Sequence, residues 1–333
     1  MEQHTSPSAR IALTGATGFV GGALARALAA AGAHIVALAR PGANRQPLAG
    51  LPITWVEGDI TRPESLGRLC AGADLLVHAA GMLGQAGVPE ATYHQLHVTG
   101  TQNVLAAAAA ANPPPRVLYV SSPGVLGPIS GPPAGEETPL APSNPYERSK
   151  AAAEQVALAF AAQGLPLVIA RPEFIYGPGD QHVLGLFRAV QQGRFFYIDR
   201  GRHTCHPTYI DDAVDGLRRC LYHGQPGEIY HITGPRPVTF RELGQALAAA
   251  MGVREPWLQL PRPVAWLGAA GLELLGKLTG RAAPLSRTGV AFFSEDRRFS
   301  WQKAHQALNY TPHYDLPAGL AATVAWYRAH DLL

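Results

Sequence analysis

Short apolar runs alternate with alanine-rich stretches along the first half of the chain. The runs at 10–14 and 34–39 are almost continuously apolar, as expected for strands that are buried on both faces of a parallel sheet. Between them, residues 20–31 are rich in alanine and favour a helix. Strand-like and helix-like segments keep alternating to about residue 172. This order predicts an α/β fold with a doubly wound parallel sheet.

The first apolar run ends in a glycine-rich turn, Thr14-Gly15-Ala16-Thr17-Gly18-Phe19-Val20-Gly21. In a strand–turn–helix unit, Gly15 allows the tight turn, Gly18 lets the backbone approach a pyrophosphate, and Gly21 lets the helix pack closely. The start of the helix then offers free N–H groups to the phosphates. Glycine spacing alone is weak evidence in a chain with 36 glycines. Its position between a strand and a helix predicts a dinucleotide site of the Rossmann type.

The end of the second strand indicates which dinucleotide is bound. An acidic residue there would hold the 2′-hydroxyl of the adenosine ribose. This chain has Ala39 followed by Arg40, a cation suited to a 2′-phosphate. The pattern therefore favours NADP(H), with NAD(H) as the alternative, and it leaves open that Arg40 is only a solvated surface residue.

Three polar residues further along the chain suit proton transfer at a carbonyl or carbinol. Ser122 follows the apolar run 116–120, and ligands bind at the carboxyl ends of such strands. Tyr146 and Lys150 are four residues apart at the start of a predicted helix, so they share one face. A tyrosine has a pKa of about 10, and a neighbouring ammonium would lower it. We therefore predict Tyr146 as the acid/base, Lys150 as its partner, and Ser122 as the group that holds the substrate oxygen.

These residues and several further motifs resemble the extended branch of the short-chain dehydrogenase/reductase family, the NAD-dependent epimerase/dehydratase type. The motifs are Thr14-Gly15-x-x-Gly18-x-x-Gly21, Gly58-Asp59-Ile60, His78-Ala79-Ala80-Gly81, Tyr119-Val120-Ser121-Ser122, Tyr146-x-x-x-Lys150, Arg171-Pro172-Glu173-Phe174-Ile175-Tyr176-Gly177-Pro178 and His206-Pro207-Thr208-Tyr209-Ile210-Asp211-Asp212. The likeness spans nearly the whole chain. A looser likeness to the 3β-hydroxysteroid and sterol dehydrogenase branch rests on 261–279, Pro284-Leu285-Ser286-Arg287 and Ala304-x-x-x-Leu308-Asn309-Tyr310-x-Pro312.

The resemblance implies a role for each of these segments. Asp59 and Ile60 would flank the adenine, and Ala79, Ala80 and Gly81 would run along the cofactor. The predicted cofactor contacts are Gly15, Thr17, Gly18, Phe19, Val20, Arg40, Asp59, Ile60, Ala79, Ala80, Gly81, Tyr146, Lys150, Pro172, Phe174 and Ile175, the last three of them near the nicotinamide. The chain departs from the family at His97, where many members have an asparagine that organises a water and the lysine. We favour a structural role for His97.

The 333 residues accommodate two closely packed parts. We expect a Rossmann domain from residues 8–172 and 204–234, and a smaller substrate-binding lobe from 173–203 and 235–333. Helices are predicted at 183–192 and 211–221, a strand at 228–232, and a capping box at Thr239 and Glu242. The loop 123–145 is expected to cover the site, which should lie in the cleft between the two parts.

Composition excludes several other classes of protein. The net charge of +3 and the lack of a basic stripe argue against nucleic-acid binding. Three widely spaced cysteines and thirteen histidines form no zinc pattern, so no metal site is predicted, and we expect a reducing cytoplasmic environment. The polar N-terminus lacks the apolar core of a signal peptide. The family resemblance suggests a homodimer that pairs through the helices near 90–111 and 147–163.

The stretch 261–279 is unusually apolar and has few charges. It is too short and too charged for a membrane span, so it could be a core helix, a dimer contact, a lid over an apolar substrate or an interfacial anchor. For the whole chain we predict an NAD(P)-dependent oxidoreductase that interconverts a secondary alcohol and a ketone, on an apolar or sterol-like substrate. The alternatives are a nucleotide-sugar epimerase or dehydratase and a cofactor-sensing protein without turnover.

Overall fold

A computed structural model describes residues 9–85, 87–279 and 285–333, without the side chains of 277 and 278. The polar N-terminus up to residue 8 and Pro284 of the sterol-type motif therefore lie outside the described residues.

A seven-stranded parallel sheet forms the centre of the molecule. Its strands are β1 (Arg10–Thr14), β2 (His34–Ala39), β3 (Ile53–Glu57), β4 (Leu75–His78), β5 (Arg116–Val120), β6 (Leu167–Pro172) and β7 (Ile229–Ile232). Their order across the sheet is β7-β6-β5-β4-β1-β2-β3. The chain runs outward from β1 to β3 and then returns to β4 on the other side of β1. This reversal opens a crevice at the carboxyl ends of β1 and β4, and the predicted fold class is confirmed.

Alternate residues of each strand enter two different cores, one on each face of the sheet. In β1, Ile11 and Leu13 join one core and Ala12 joins the other. In β6, Val168 and Ala170 join the first core, while Leu167 and Ile169 join the second. Burial on both faces explains why these strands are apolar without the alternation of a half-exposed sheet.

Twelve helices cover the sheet and form the C-terminal part among the described residues. They are α1 (Phe19–Ala30), α2 (Leu66–Cys70), α3 (Glu90–Tyr93), α4 (Gly100–Ala109), α5 (Pro145–Ala162), α6 (Leu184–Gln191), α7 (Ile210–His223), α8 (Phe240–Met251), α9 (Arg262–Thr279), α10 (Arg287–Phe293), α11 (Gln302–Leu308) and α12 (Leu316–Ala329). A π-helical turn, His94–Thr99, joins α3 to α4. In the ranges listed above, no helix combines the length and the apolarity that crossing a bilayer requires.

The second half of the chain returns once to the main sheet. Strand β7 pairs in parallel with β6, as the sequence predicted, and α7 packs against both. The helices predicted at 183–192 and 211–221 form within two residues of the expected bounds, and the capping box of Thr239 and Glu242 opens α8. The loop 123–145 begins with a short 3-10 turn, Pro123–Leu126. The division into a Rossmann domain and a smaller lobe stays a prediction.

Candidate active site

The glycine turn after β1 has the geometry of a phosphate cradle. Gly15 has a φ of +81°, and a Cβ there would lie 2.6 Å from the carbonyl carbon of Ala79 at the end of β4. A Cβ on Gly21 would overlap the carbonyl of Gly15. Gly18 caps α1, and Thr17 and Gly18 are exposed at the crevice. Strand, turn and helix can therefore approach each other only with glycine at these positions, and the start of α1 remains open to an anion.

Arg40 lies directly after the buried end of β2. Ala39 is buried and Arg40 is exposed. The neighbouring strand β3 leads into Asp59, whose carboxylate accepts hydrogen bonds from the N–H and the hydroxyl of Thr61, both at 2.8 Å. The side chain of Ile60 is buried against Gly100 of α4. Asp59 therefore stabilises the turn after β3, and the side chain of Ile60 packs into the core.

The segment after β4 crosses the mouth of the crevice. The N–H of Ala80 donates to Thr14 Oγ1 at 3.2 Å, which ties the ends of β1 and β4 together. Gly81 is exposed, and a Cβ there would lie 3.4 Å from His97 Nε2. The chain continues over Tyr146, because a Cβ on Gly84 would lie 3.4 Å from that residue's Cβ.

Ser122 and Tyr146 meet at the carboxyl end of β5. Asn144 caps α5 by accepting from the N–H of Glu147 at 3.0 Å, which places Tyr146 in the first turn of the helix. The Ser122 side chain lies within interaction range of the Tyr146 phenol and acts to lower the pKa of that phenol. Two elements that are separate in the sequence therefore bring a proton donor and an oxygen-binding hydroxyl to one place.

Lys150 lies on the same helix as Tyr146, and its ammonium contacts β5. Its ammonium donates to Tyr119 Oη at 3.0 Å and to the carbonyl of Val120 at 2.9 Å. Burial lowers the pKa of Lys150 to about 8. Burial also raises the pKa of Tyr146 above its usual range, and the Ser122 side chain opposes this. The pairing of Lys150 with Tyr146 therefore stays a prediction, and the contacts of the ammonium are with β5.

His97 occupies the π-helical turn and supports the helix that carries Tyr146. Met82 N–H donates to His97 Nε2 at 3.1 Å, so the proton of the neutral ring lies on Nδ1 and is donated to Ser149 Oγ at 2.8 Å. Ser149 Oγ in turn donates to the Tyr146 carbonyl at 2.7 Å. Burial and the charge of Lys150 lower the pKa of His97 to about 3. These contacts agree with the structural role that we favoured.

A buried group of charges surrounds the tyrosine. Arg297, from the C-terminal part of the chain, pairs with Glu147 at 2.8 Å, and both side chains are buried. Glu173 is buried next to the end of β6, and burial raises the pKa of its carboxyl to about 7, with Arg297 opposing the shift. The charges of Glu173 and Glu147 add to the upward shift of the pKa of Tyr146.

The segment after β6 has a strained backbone. Phe174 adopts a φ of +35°, which side-chain-bearing residues rarely adopt. Its ring lies 5.6 Å from the ring of Phe292 in α10. Pro172 is buried, and Phe174 and Ile175 are half-buried. Such strain concentrates at functional sites, where the surrounding packing holds it in place.

Comparison with known proteins decides the family. The profile of the NAD-dependent epimerase/dehydratase family matches residues 11–233, which include the glycine turn, Ser122, Tyr146 and Lys150. The chain belongs to this family. Within the extended short-chain dehydrogenases/reductases, members of the epimerase/dehydratase family include oxidoreductases, epimerases and dehydratases.

Two curated relatives of this family member are carbonyl reductases by name. One is 4-hydroxy-2-methyl-3-oxo-4-farnesyl-3,4-dihydroquinoline-1-oxide ketoreductase of Stigmatella aurantiaca, 31% identical over 319 residues, with 94% of this chain and 95% of that protein covered. The other is 2-alkyl-3-oxoalkanoate reductase of Stenotrophomonas maltophilia, 31% identical over 324 residues, with 93% and 97% covered.

Two solved structures share the whole fold of this chain. The crystal structure of gox2253 superimposes with a TM-score of 0.83 at 28% identity and covers 98% of this chain and 99% of that one. DesIV, a dTDP-glucose 4,6-dehydratase of Streptomyces venezuelae solved with NAD, has a TM-score of 0.77 at 27% identity and covers 96% and 97%. This chain therefore shares its fold with a dTDP-glucose 4,6-dehydratase.

Sequence reasoning missed four residues of the site in this epimerase/dehydratase-family chain. Tyr119 accepts a hydrogen bond from Lys150 and lies on the face of β5 that packs against α5. Because successive side chains of a strand point to opposite faces, the sequence of β5 could have shown that Tyr119 shares this face. Glu173 was noted only as a replacement within a motif. The pair of Glu147 and Arg297 joins residues that are 150 positions apart in the sequence, and no local pattern predicts it.

Proposed function

We propose that the protein is a nicotinamide-dinucleotide-dependent oxidoreductase that reduces an apolar ketone to a secondary alcohol, or runs the reverse reaction. The observation that carries this proposal is the meeting of Tyr146 and Ser122 at the carboxyl end of β5. Ser122 would hold the carbonyl oxygen of the substrate, and Tyr146 would deliver a proton to that oxygen.

The raised pKa of Tyr146 suits a role as proton donor in ketone reduction. The phenol stays protonated near neutrality because burial and two neighbouring carboxylates disfavour its anion. The protonated phenol is the form that carbonyl reduction consumes. Lys150 would act by holding β5 and α5 together at the site, through Tyr119 and Val120.

The residues at the crevice fit a dinucleotide. A Cβ on Gly15 or Gly21 would fill the space beneath the turn, and the exposed start of α1 points free N–H groups outward. Thr17, Gly18, Phe19 and Val20 would contact the pyrophosphate. When bound, the nicotinamide supplies or accepts the hydride. The relative DesIV was solved with NAD, which supports the same class of cofactor here.

We further infer a preference for NADP(H), because Arg40 stands exposed after β2 where an acidic residue would favour NAD(H). Arg40→Ala should weaken NADP(H) binding by about tenfold or more and leave NAD(H) binding almost unchanged, since a charge-assisted hydrogen bond contributes roughly 1.5–3 kcal/mol. Dissociation constants measured by calorimetry test this.

The control for that experiment is Arg45→Ala, which removes a half-buried arginine that packs over Trp55 in the same region. It should not change the ratio of the two affinities. Equal losses of NAD(H) and NADP(H) binding in Arg40→Ala would contradict the assignment of Arg40.

An apolar substrate is supported by the relatives and by the surroundings of the site. The names of two relatives specify a farnesyl-bearing 3-oxo compound and a 2-alkyl-3-oxoalkanoate. In this chain, the rings of Phe174 and Phe292 meet where the C-terminal part adjoins the end of β6. We therefore propose long-chain or sterol-like ketones as the substrate class.

The decisive variant is Tyr146→Phe. It should lower turnover of an apolar ketone by roughly 10²–10⁴-fold, because the proton donor is lost, while the dissociation constant of the dinucleotide stays the same. Tyr93→Phe is the matched control, since its ring lies 6.2 Å from that of Tyr146 and its hydroxyl bonds the backbone of Gln85. It should keep most of the activity, and equal activity of Tyr146→Phe and wild type would refute the mechanism.

A substrate panel separates this proposal from the epimerase or dehydratase alternative. Apolar ketones and nucleotide sugars are supplied in parallel, and nicotinamide absorbance is followed together with product mass. Net oxidation of the dinucleotide with the ketones supports the reductase. Conversion of a nucleotide sugar with no net change in nicotinamide redox state would instead support the alternative.

A further inference from the structure

Helix α9 presents its large apolar residues to solvent and its small ones to the protein. Ala265 and Ala269 are buried against Ile198 and Val290, whereas Leu267 is 73% exposed. The other exposed apolar residues of the helix and of the segment before it are Trp257, Leu258, Val264, Trp266, Leu274 and Leu275. A surface helix normally has the opposite arrangement, with its large apolar residues facing the core.

Four of the exposed apolar residues of α9 form one stripe. At about 100° per residue, Val264, Leu267, Leu274 and Leu275 fall within an arc of about 100°. Trp257, 71% exposed, extends this surface just before the helix. We call these five residues and Leu258 the apolar face. Contiguous exposed surfaces of this kind mark sites of interaction with a protein or a membrane.

Near the apolar face, the arginine side chains are more exposed to solvent than the acidic side chains with which they pair. Arg202 is 73% exposed while its partner Asp199 is 20% exposed, and the pairs Arg262–Glu295 and Arg287–Glu273 show the same layering. In each pair the acidic partner lies deeper and the guanidinium lies outside. The local surface therefore presents positive charge at its edge, although the acidic groups nearly balance it in number.

A groove opens next to the start of α9. Its volume is about 330 Å³, and it is lined by Asp199, Arg200, Arg202, Gln259, Leu260 and Pro261. Arg200 and Arg202 are exposed, and the lining residues 259–261 directly follow Leu258 of the apolar face in the sequence. A phosphate-bearing headgroup would thus meet guanidinium groups at the edge of an apolar surface.

We propose that the apolar face docks on an anionic phospholipid bilayer, with its side chains among the acyl chains and Arg202, Arg262 and Arg287 at the headgroup phosphates. Exposed Trp257 and Trp266 suit the boundary between headgroups and acyl chains. Helices with one apolar face and flanking cations lie in this boundary. A bilayer matches both features, whereas a purely apolar protein partner would offer no anionic group to the outward-lying guanidinium groups.

Docking would also place the predicted substrate region near the lipid. Helix α10 packs on α9, and its Phe292 contacts Phe174 beside the candidate active site. This consequence rests on the proposed function, whereas docking itself does not. A membrane assay with the full-length chain, without substrate or turnover, therefore tests the docking surface separately.

The test is co-sedimentation of the full-length chain with vesicles of phosphatidylcholine alone or of phosphatidylcholine with phosphatidylglycerol. We expect binding to the anionic vesicles, weaker binding to the neutral ones, and partial release by salt. The double variant Leu267→Ser with Leu274→Ser should bind at least about tenfold more weakly, because two large apolar side chains no longer enter the bilayer. Arg202→Glu should weaken binding to the anionic vesicles selectively.

Leu140→Ser is the matched control, since it removes an exposed leucine outside the apolar face. It should bind as the wild type does, and unchanged thermal unfolding should show that the double variant is folded. Absence of binding to anionic vesicles, or equal binding by the double variant, would overturn the proposal. It would also be overturned if light scattering showed a dimer without lipid that the double variant dissociates, because a second copy would then cover the face.

Discussion

At the scale of single residues, the environment of Tyr146 is set mainly by burial and negative charge. Burial raises the pKa of its hydroxyl, and the carboxylates of Glu173 and Glu147 raise it further. Lys150, on the same helix face, is held by Tyr119 and Val120 instead. The tyrosine is thereby kept as a proton donor over the neutral pH range.

Glu173 tests this view through the pH profile of ketone reduction. Reduction requires protonated Tyr146, so activity falls at alkaline pH as the phenol ionises. The carboxyl of Glu173 has a pKa of about 7, and its charge above that pH raises the pKa of Tyr146. Glu173→Gln should therefore move the alkaline limb of kcat/KM to lower pH and remove an inflection near pH 7.

Glu173→Asp serves as the conservative control because it keeps the charge, and it should retain the alkaline limb of the wild type. If Glu173→Gln left the limb in place or moved it to higher pH, the carboxylate would not act on Tyr146. A general loss of stability would lower activity at every pH and would not move the limb.

At the scale of elements, the turn between β1 and α1 is the most constrained. Gly15→Ala introduces a Cβ at a φ of +81° and within 2.6 Å of the Ala79 carbonyl carbon. We expect it to reduce the free energy of unfolding by about 1–3 kcal/mol and to weaken dinucleotide binding at least about tenfold, because the turn must open. Denaturant unfolding and calorimetry measure the two effects.

Gly185→Ala is the matched control in helix α6, where an added Cβ meets no atom within 4 Å. It should raise the free energy of unfolding by about 0.5–1 kcal/mol, because alanine favours the helix, and should leave dinucleotide binding unchanged. The account of the turn fails if Gly15→Ala behaves like Gly185→Ala.

Regular elements were predictable because their signals are local. The apolar run of β1 and the alanine-rich stretch of α1 can each be recognised from their own residues. The observed bounds of both elements lie within one residue of those expected. The π-helical turn around His97 was not predictable, because it depends on contacts with Met82 and Ser149 rather than on a local pattern. The two-residue strands Ile175–Tyr176 and Thr208–Tyr209 likewise exist only by pairing with each other.

At the scale of the whole molecule, the C-terminal part completes the surroundings of the site. Arg297 reaches Glu147, the residue next to Tyr146, and its own N–H donates to the carbonyl of Thr204 at 2.8 Å. The motifs located Ser122 and Tyr146 correctly at one end of the sheet. They could not predict Arg297, because an ion pair between distant segments depends on how the whole chain packs.

The central claim is that the hydroxyl of Tyr146 faces the reactive ring of a dinucleotide bound across the carboxyl ends of β1 and β4. A crystal structure of the full-length chain with NADP(H) tests it most directly. We predict the pyrophosphate on the N–H groups at the start of α1 and the nicotinamide next to Tyr146 and Ser122. A dinucleotide bound elsewhere, or a nicotinamide separated from the Tyr146 hydroxyl by other side chains, would contradict the account.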